Sequence, residues 1–203
     1  MKINNLQSAA LVVLALVLSQ VGANAQIVNI NATFYGFQYP GGGSDPAPMP
    51  GQVVNPISNA PGGGLLQLTL GPGTYSITNG SGLPGADPNF TGWRFNSGNN
   101  WVWNFLLIND ANHQVIFYDD RGGVQGSQSA IASDPTVQNY FGTFTLASTT
   151  TVDFAIRDFF LPDNAGGISL NIRPVSEPMT SSLILGVALF GGLRYIRRQR
   201  RSR

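Results

Sequence analysis

The chain of 203 residues has no cysteine, which excludes disulfide bonds, thiol chemistry and zinc sites built on cysteine. Its single histidine, His113, falls in a polar turn, so neither a histidine-rich metal site nor a catalytic triad is expected. Lysine and glutamate are both missing between Gln26 and Val175, where four arginines stand against nine aspartates and the net charge is −5. Because contact with phosphates needs a basic surface, this composition argues against nucleic-acid binding.

The basic residues are concentrated at the two ends of the chain, which gives the whole chain a formal net charge of +1. At the N-terminus, Lys2 precedes the apolar stretch 9–18, and Ala23-Asn24-Ala25 follows it. A positive start, a short apolar stretch and small residues at a cleavage site are typical of a secretory signal peptide. We therefore expect residues 1–25 to direct export and to be removed after Ala25. An uncleaved N-terminal anchor is the alternative.

The C-terminal end has three parts that follow one another in the sequence. The tripeptide Ser176-Glu177-Pro178 precedes an apolar segment, and a cluster of arginines ends the chain. A helix over residues 179–196 would be about 27 Å long, enough to cross a thin bilayer. Arginine-rich flanks stay on the cytoplasmic side of a membrane, so the body of the protein would lie outside. The clustered arginines are Arg194, Arg197, Arg198, Arg200, Arg201 and Arg203.

This three-part C-terminus resembles the PEP-CTERM sorting signal of exported proteins in exopolysaccharide-producing Gram-negative bacteria. The family's tripeptide is Pro-Glu-Pro; Glu177 and Pro178 match it, and Ser176 stands where the family has its first proline. The resemblance covers only residues 176–203 and implies a sorting route rather than an activity. It implies an inner-membrane exosortase as a processing partner and the cell surface or extracellular matrix as the destination. An ordinary C-terminal membrane anchor would share the apolar helix and the basic flank.

The middle of the chain predicts an all-β fold. A Gly/Pro-rich N-terminal segment, 26–64, holds a first strand, and alternating apolar and polar residues then recur through 65–173. This period of two, without a segment of period 3.6, favours a single antiparallel β-sandwich or jelly-roll-like domain. Two polar segments, 90–100 and 121–137, are predicted to be long loops. The clearest strand patterns are Leu66–Leu70, Trp101–Ile108, Val152–Ile156 and Ile168–Ile172.

A candidate metal site lies in the segment 151–172. There Asp158 follows a predicted strand, and Asp163 and Asn164 precede two glycines in the next loop. Carboxylate and amide oxygens in a glycine-containing loop are suitable ligands for calcium. The segment is similar to the closing hairpin of calcium-dependent galactophilic lectins, and the resemblance implies that Asp158, Asp163 and Asn164 hold calcium beside a sugar. An Asx-Gly turn without metal would give the same pattern.

The tryptophans divide into two groups. By strand periodicity Trp101, Trp103 and Phe105 share a face, and large aromatics on one face of a strand are typical of a core. Trp93 lies in a polar segment and is therefore predicted to be exposed. Because an exposed aromatic ring packs well on the apolar face of a sugar, Trp93 is the candidate for carbohydrate stacking.

Asp119 and Asp120 form a second acidic turn after a predicted strand. Such a pair is typical of a solvated strand end, although it could lend ligands to calcium. Adjacent carboxylates on a strand point to opposite faces, so these two are not expected to act together as acid and base. A polysaccharide hydrolase would need a partner carboxylate from elsewhere, such as Asp158 or Asp163.

Together these patterns predict an exported, membrane-sorted bacterial surface or matrix protein with a non-catalytic β-sandwich. Calcium-dependent carbohydrate binding is the more specific hypothesis, with extracellular polysaccharide as the partner and calcium as the only cofactor considered. Two alternatives remain open from the sequence. One is a hydrolase that acts on polysaccharide through aspartates, and the other is a purely structural spacer in which 36–64 holds the domain off the surface.

Overall fold

The computed structural model describes residues 25–175. Several predicted features therefore lie outside the described residues: the signal peptide up to Asn24 with Ala23, the tripeptide 176–178, the apolar segment 179–196 and the terminal arginines. Among the residues described, no helix is both long and apolar enough to cross a membrane.

Residues 25–175 form eleven strands, two short α-helices and one 3-10 helix, and every strand pairing among them is antiparallel. The all-β, antiparallel prediction is confirmed. The strands are β1 (Gln26–Asn31), β2 (Tyr35–Gln38), β3 (Asn55–Ser58), β4 (Gln67–Leu70), β5 (Gly73–Asn79), β6 (Thr91–Phe95), β7 (Asn100–Asn109), β8 (Val115–Gln125), β9 (Phe141–Leu146), β10 (Thr150–Ala155) and β11 (Ala165–Pro174). The helices are α1 (Gln128–Ser133), α2 (Pro135–Gln138) and the 3-10 helix Leu161–Asp163.

Two ten-residue strands, β7 and β11, organise the main sheet. Strand β7 lies between β8 on one edge and β6 and β10 on the other, and β4 pairs with β10. Strand β11 lies between β1 on one edge and β5 and β6 on the other, and β9 pairs with β5. Strand β6 pairs with both long strands and thereby joins the group β4-β10-β7-β8 to the group β9-β5-β11-β1. This arrangement is consistent with a β-sandwich.

One hydrophobic core, here called the main core, takes side chains from both strand groups, as the inner faces of a sandwich do. Trp103 and Phe105 are fully buried in it, with ring centroids 5.3 Å apart in an edge-to-face arrangement. The core prediction for these two aromatics is confirmed. Other members of the main core include Ile77, Phe144, Phe154, Ile168 and Leu170.

A second, smaller core covers the opposite side of β7. The hairpin β2–β3 lies there, and Phe37 and Val54 pack fully buried against Leu106 and Ile108. Because β7 is buried on both sides, its sequence from Trp101 to Ile108 is apolar except for Asn104 rather than alternating. The alternative in which 36–64 is a free spacer does not fit this packing, since the segment lies against the sheet through the hairpin.

Two further expectations about loops are corrected by the structure. The segment 90–100 contains β6, and 121–137 contains the end of β8 and most of both helices. Helix α1 is capped by Ser127, whose side chain accepts a hydrogen bond from the Ala130 N–H at 3.1 Å. Its one buried residue, Ile131, packs into the main core. The Ile131 side chain closely covers Gly92 of β6, a position where a larger residue would clash.

The predicted hairpin over 151–172 is also wrong. Strand β10 pairs with β4 and β7, whereas β11 pairs with β1, β5 and β6, so the connection between them crosses from one strand group to the other. The connection therefore passes over one end of the fold, with the short 3-10 helix near its middle.

Candidate functional site

A cavity of about 380 Å³ opens where this connection meets β6, β7, β8 and the loop between β2 and β3. We call it the Arg157 cavity. In the register of the sheet, Asn104 of β7 lies directly opposite Asp120 of β8, and Arg157 follows the end of β10. Asp45 reaches the same place from the β2–β3 loop. The polar side chains of the lining are Ser44, Asp45, Asn96, Asn104, Asp120, Arg157 and Asp158.

Arg157 links these elements through both its backbone and its side chain. Its backbone N–H donates to Asn104 Oδ1 at 3.1 Å, and its Nε–H donates to the Ser44 carbonyl at 3.4 Å. The guanidinium forms an ion pair with Asp45, and its Nη1 lies 3.9 Å from Asp120 Oδ2. The Arg157 side chain is 25% exposed, whereas that of Asp45 is 85% exposed. Arg157 therefore holds the β2–β3 loop against the sheet at the edge of the cavity.

The Asp120 carboxylate is partly withdrawn from water. Burial raises its pKa above the ordinary value, and a hydrogen bond from the Tyr118 hydroxyl and the charge of Arg157 oppose that shift. The Tyr118 hydroxyl donates to Asp120 Oδ2 at 3.2 Å. Burial raises the pKa of Tyr118 to about 12, so this hydroxyl stays protonated at neutral pH and remains a donor. Asp120 is thus an oriented hydrogen-bond acceptor. The Tyr118 hydroxyl and the Arg157 charge do not fully offset the cost of burying its negative charge.

Asp119 and Asp120 point to different partners, as their adjacent positions on β8 predicted. Asp119 accepts from Nε and Nη2 of Arg121, each at 2.8 Å, and from the Tyr140 hydroxyl at 3.1 Å. The interpretation of this pair as a solvated strand end is wrong in two respects, because β8 continues past the aspartates in its pairing with β7 and the Asp119 side chain is only 17% exposed. Asp120 remains exposed to solvent, with 38% of its side chain accessible.

Asp158 lines the cavity and also shapes its rim. Its Oδ1 accepts a hydrogen bond from the Phe160 N–H at 3.0 Å, a local turn in which the carboxylate holds the backbone two residues later. The turn leaves Phe159 48% exposed and Phe160 55% exposed. Only Phe159 of these two contributes to the cavity lining. The rim of the cavity therefore carries an accessible aromatic ring beside a carboxylate.

Trp93 does not have the exposure predicted for it. It belongs to β6, where it pairs with Val102, and it is only 2% exposed. A ring buried to this extent offers no open face to a sugar, so the prediction of an exposed stacking residue is wrong. Trp93 nevertheless lines the cavity wall, and its buried Nε1–H has no hydrogen-bond partner among residues 25–175.

The three predicted calcium ligands are not all found in the Arg157 cavity. Asp158 lines it, whereas Asp163 and Asn164 lie at the end of the 3-10 helix and are not part of the lining. Asn164 is buried, and its Nδ2 donates to the Ala32 carbonyl at 3.2 Å. The Oδ1 atoms of Asp163 and Asn164 are both buried without a partner in the part of the chain described. Within residues 25–175, no group of three or more aspartate or histidine side chains is placed to hold a metal ion.

A second polar cluster lies outside the cavity and centres on Asp153 of β10, which is 1% exposed. Gln67 Nε2 donates to Asp153 Oδ1 at 2.8 Å and to Asp110 Oδ1 at 2.9 Å. Asp153 Oδ2 has no partner within the described segment. Burial raises the pKa of Asp153; the charge of Asp110 adds to the shift, while the hydrogen bond from Gln67 and the charge of His113 oppose it.

The arrangement in the Arg157 cavity suits a neutral or cationic molecule with many hydroxyl groups, because carboxylates accept hydrogen bonds from hydroxyls and amide groups donate to them. Sequence reasoning missed Asp45, Asn104 and Arg157 as members of this site. The chain matches no protein-family model, no curated protein and no solved structure. The residues of the cavity therefore carry the functional argument.

Proposed function

We propose that this is an exported, non-catalytic surface or matrix protein that binds carbohydrate in the Arg157 cavity. The observation that carries the proposal is the exposed ring of Phe159 at the rim of a cavity lined by carboxylate, amide and guanidinium groups. Sugars present an apolar C–H face and a fringe of hydroxyls, so an aromatic ring beside oriented polar groups matches both parts. Phe159 thus takes the stacking role first expected of Trp93.

The polar groups of the cavity are held by regular structure, which favours selective binding. Asn104 lies in the central strand β7 and is only 5% exposed, and its Oδ1 is fixed by the backbone of Arg157. Asp120 lies on β8, which pairs with β7, and it is held by the hydroxyl of Tyr118 two residues earlier on the same strand. Side chains fixed in this way lose little freedom when a ligand binds, which lowers the entropic cost of association.

The neighbouring phenylalanines provide a matched test of this proposal. We expect Phe159→Ala to weaken binding of oligosaccharides about two- to tenfold, because stacking on an aromatic ring contributes about 0.5–1.5 kcal/mol. Phe160→Ala removes a similar exposed ring that does not line the cavity, and it should leave binding unchanged. Titration calorimetry on a panel of neutral and charged oligosaccharides measures both effects. Equal losses in the two variants, or no binding to any glycan, would contradict the proposal.

Calcium remains part of the proposal at a separate position. The unpartnered Oδ1 atoms of Asp163 and Asn164 are hard oxygen donors on consecutive residues, close to where the chain crosses between the strand groups. A cation there would require further ligands from backbone carbonyls or water, since calcium takes six to eight oxygens. In this proposal the ion stabilises the connection that carries Asp158 and Phe159.

The destination of the protein is proposed from its two ends. The arginine cluster is expected to hold the C-terminal segment at the inner membrane until a processing enzyme acts on it. Replacing the six terminal arginines by serine should shift the protein from the membrane to the soluble or secreted fraction, whereas replacing Arg94 and Arg173 of the body should not. Unchanged fractionation of the first variant would contradict this sorting role.

A hydrolase is the second candidate, and one observation favours it. Asp120 and Asp158 line one cavity, and burial raises the pKa of Asp120, as a general acid requires. In this case Asp120 would donate a proton to the leaving oxygen while Asp158 would stabilise the sugar cation or activate water. Release of new reducing ends by the wild-type protein, abolished in Asp120→Asn with glycan binding retained, would support it. Binding without release would exclude it in favour of a binding role.

A further inference from the structure

The charge balance of the Arg157 cavity restricts the kind of sugar that fits. Its lining contains three carboxylates, from Asp45, Asp120 and Asp158, and one guanidinium, from Arg157. Arg157 pairs with Asp45, and its distance to Asp120 is already 3.9 Å. Asp158 has no ion pair within residues 25–175, and its Oδ1 accepts only a backbone N–H. The ionised lining therefore carries a net charge of −2, which disfavours an acidic sugar.

A second, independent observation concerns the cavity wall. Trp93, which contributes to the lining, is 98% buried, and its indole Nε1–H has no partner in the described chain. A buried donor without a partner costs about 1–3 kcal/mol, which an acceptor that reaches it would recover. The lining residues thus combine an excess of carboxylate with one unsatisfied donor.

We infer that the ligand is a sugar with a free amine, whose ammonium group is held between Asp120 and Asp158 while its ring packs on Phe159. This inference rests on the proposed carbohydrate-binding function and specifies its ligand. An ammonium supplies hydrogen bonds and charge to both carboxylates, whereas the N-acetylated or neutral sugar of the same shape leaves their charge uncompensated. A polymer of partly de-N-acetylated hexosamine provides such a group at each free amine.

The electrostatics of Asp120 agree with this assignment. Burial raises the pKa of Asp120 because water is only partly available to the ionised carboxylate. A bound ammonium would compensate that charge and draw the pKa back down. Binding should therefore weaken as the pH falls far enough to protonate Asp120.

The test compares three hexamers with the same linkage and different substituents: β-1,4-glucosamine, β-1,4-N-acetylglucosamine and β-1,4-glucose. Full-length protein in non-ionic detergent is titrated by calorimetry at about pH 6, where an aliphatic amine is protonated. The titration is run once with calcium and once with a chelator, so that a contact bridged by calcium is distinguished from a direct one. The glucosamine hexamer should bind at least about tenfold more tightly than either neutral hexamer, since hydrogen bonds between charged groups contribute about 1.5–3 kcal/mol.

Three variants separate a specific site from general attraction to an acidic protein. Asp120→Asn and Asp158→Asn keep an oxygen for the Tyr118 hydroxyl and the Phe160 N–H, and each should reduce the preference for the amine at least about fivefold. Asp87→Asn removes the same charge from a turn outside the cavity, and its Oδ1 can still accept from the Asn89 N–H. Asp87→Asn should keep the full preference.

The outcomes distinguish a failure of the amine assignment from a failure of the proposed carbohydrate binding. A preference for the amine that is lost in the two cavity variants and retained in Asp87→Asn supports the inference. Equal affinity for all three hexamers, or a preference that survives in both cavity variants, overturns the amine assignment and leaves carbohydrate binding in place. Absence of binding to every hexamer, and to the wider glycan panel above, overturns both.

Discussion

The buried carboxyl of Asp153 predicts an unusual stability change for a charge-removing substitution. In Asp153→Asn the Oδ1 atom is kept, so Gln67 Nε2 can still donate to it. What is removed is the negative charge, since the second oxygen, which is buried without a partner among residues 25–175 and lies near the charge of Asp110, is replaced by a neutral NH2 group. We therefore expect the variant to be more stable than the wild-type protein at neutral pH, although most substitutions in a folded interior destabilise.

The size and the pH range of the effect follow from burial. A buried group without a partner costs about 1–3 kcal/mol when neutral and more when charged, and the NH2 group that replaces the oxygen is itself without a partner. The gain expected in the free energy of unfolding at pH 7 is therefore the excess cost of the charge, about 1 kcal/mol. Because burial raises the folded-state pKa of Asp153, the folded protein binds this proton more tightly than the unfolded chain. The wild-type side chain is therefore best accommodated below its unfolded-state pKa, and that stability is lost as the pH rises through the folded-state pKa.

Thermal unfolding monitored by circular dichroism between about pH 4 and pH 8 measures this prediction. The melting temperature of Asp153→Asn should exceed that of the wild-type protein by roughly 2–4 °C per kcal/mol at neutral pH, with the difference shrinking towards pH 4. Asp87→Asn is the control, because it removes the same charge from an exposed hydrogen bond and should show no such pH dependence. A destabilised Asp153→Asn at pH 7, or a gain that is the same at every pH, would refute the reasoning.

Three further predictions test other contacts. In Gly36→Ala the new methyl group would meet the Asp158 carbonyl and the Leu161 side chain, so stability should fall by about 1–3 kcal/mol in chemical denaturation, whereas Gly41→Ala, which meets nothing, should be neutral. Arg157→Gln should lower stability by no more than about 1 kcal/mol, since Asp45 is largely exposed, yet it should speed proteolysis in the β2–β3 loop, and an unchanged cleavage rate would count against the anchoring role. Calcium at about millimolar concentration should raise the melting temperature relative to chelator, and the absence of a shift would remove calcium from the proposal.

The strands that sequence alone predicts are those in which the order of apolar and polar residues along the strand reflects which side is buried. Along β10 and the residue after it, Val152, Phe154 and Ile156 alternate with other residues, and all three pack into the main core. The apolar stretch of β7 was equally clear, and burial on both sides explains why it does not alternate. Such patterns depend only on which side of a strand meets the core, so they can be recognised without knowing the pairing partner.

The elements that sequence missed owe their structure to distant partners. Strand β6 lies in a polar segment, and its tryptophan is buried only because Val102 pairs with it and the Gly92 position admits Ile131 from helix α1. The local composition around Trp93 indicated exposure, which the tertiary packing reverses. Strand β8 continues past its aspartates for the same reason, since β7 pairs with it on both sides of them, from Val115 to Gln125. Tertiary pairing overrides local preference in each of these cases.

The candidate site was predictable only in part. The position of Asp158 after a strand predicts that it belongs to a site, and the sequence places Asp120 in an acidic turn. The ion pair between Arg157 and Asp45 joins residues 112 positions apart, and nothing in either local sequence points to the other. Phe159 gave no periodic signal, because its exposure arises from the turn that Asp158 forms with the next residues. Sites assembled from loops and strand ends require the fold before they can be seen.

The most direct test of the account is a crystal structure of the protein with the oligosaccharide that binds most tightly in the titrations. The account predicts a sugar ring packed on Phe159, with hydroxyl or amine groups within hydrogen-bond distance of Asp120 and Asp158. Electron density for the sugar elsewhere on the molecule, with the Arg157 cavity filled only by water, would contradict the assignment of this cavity as the binding site.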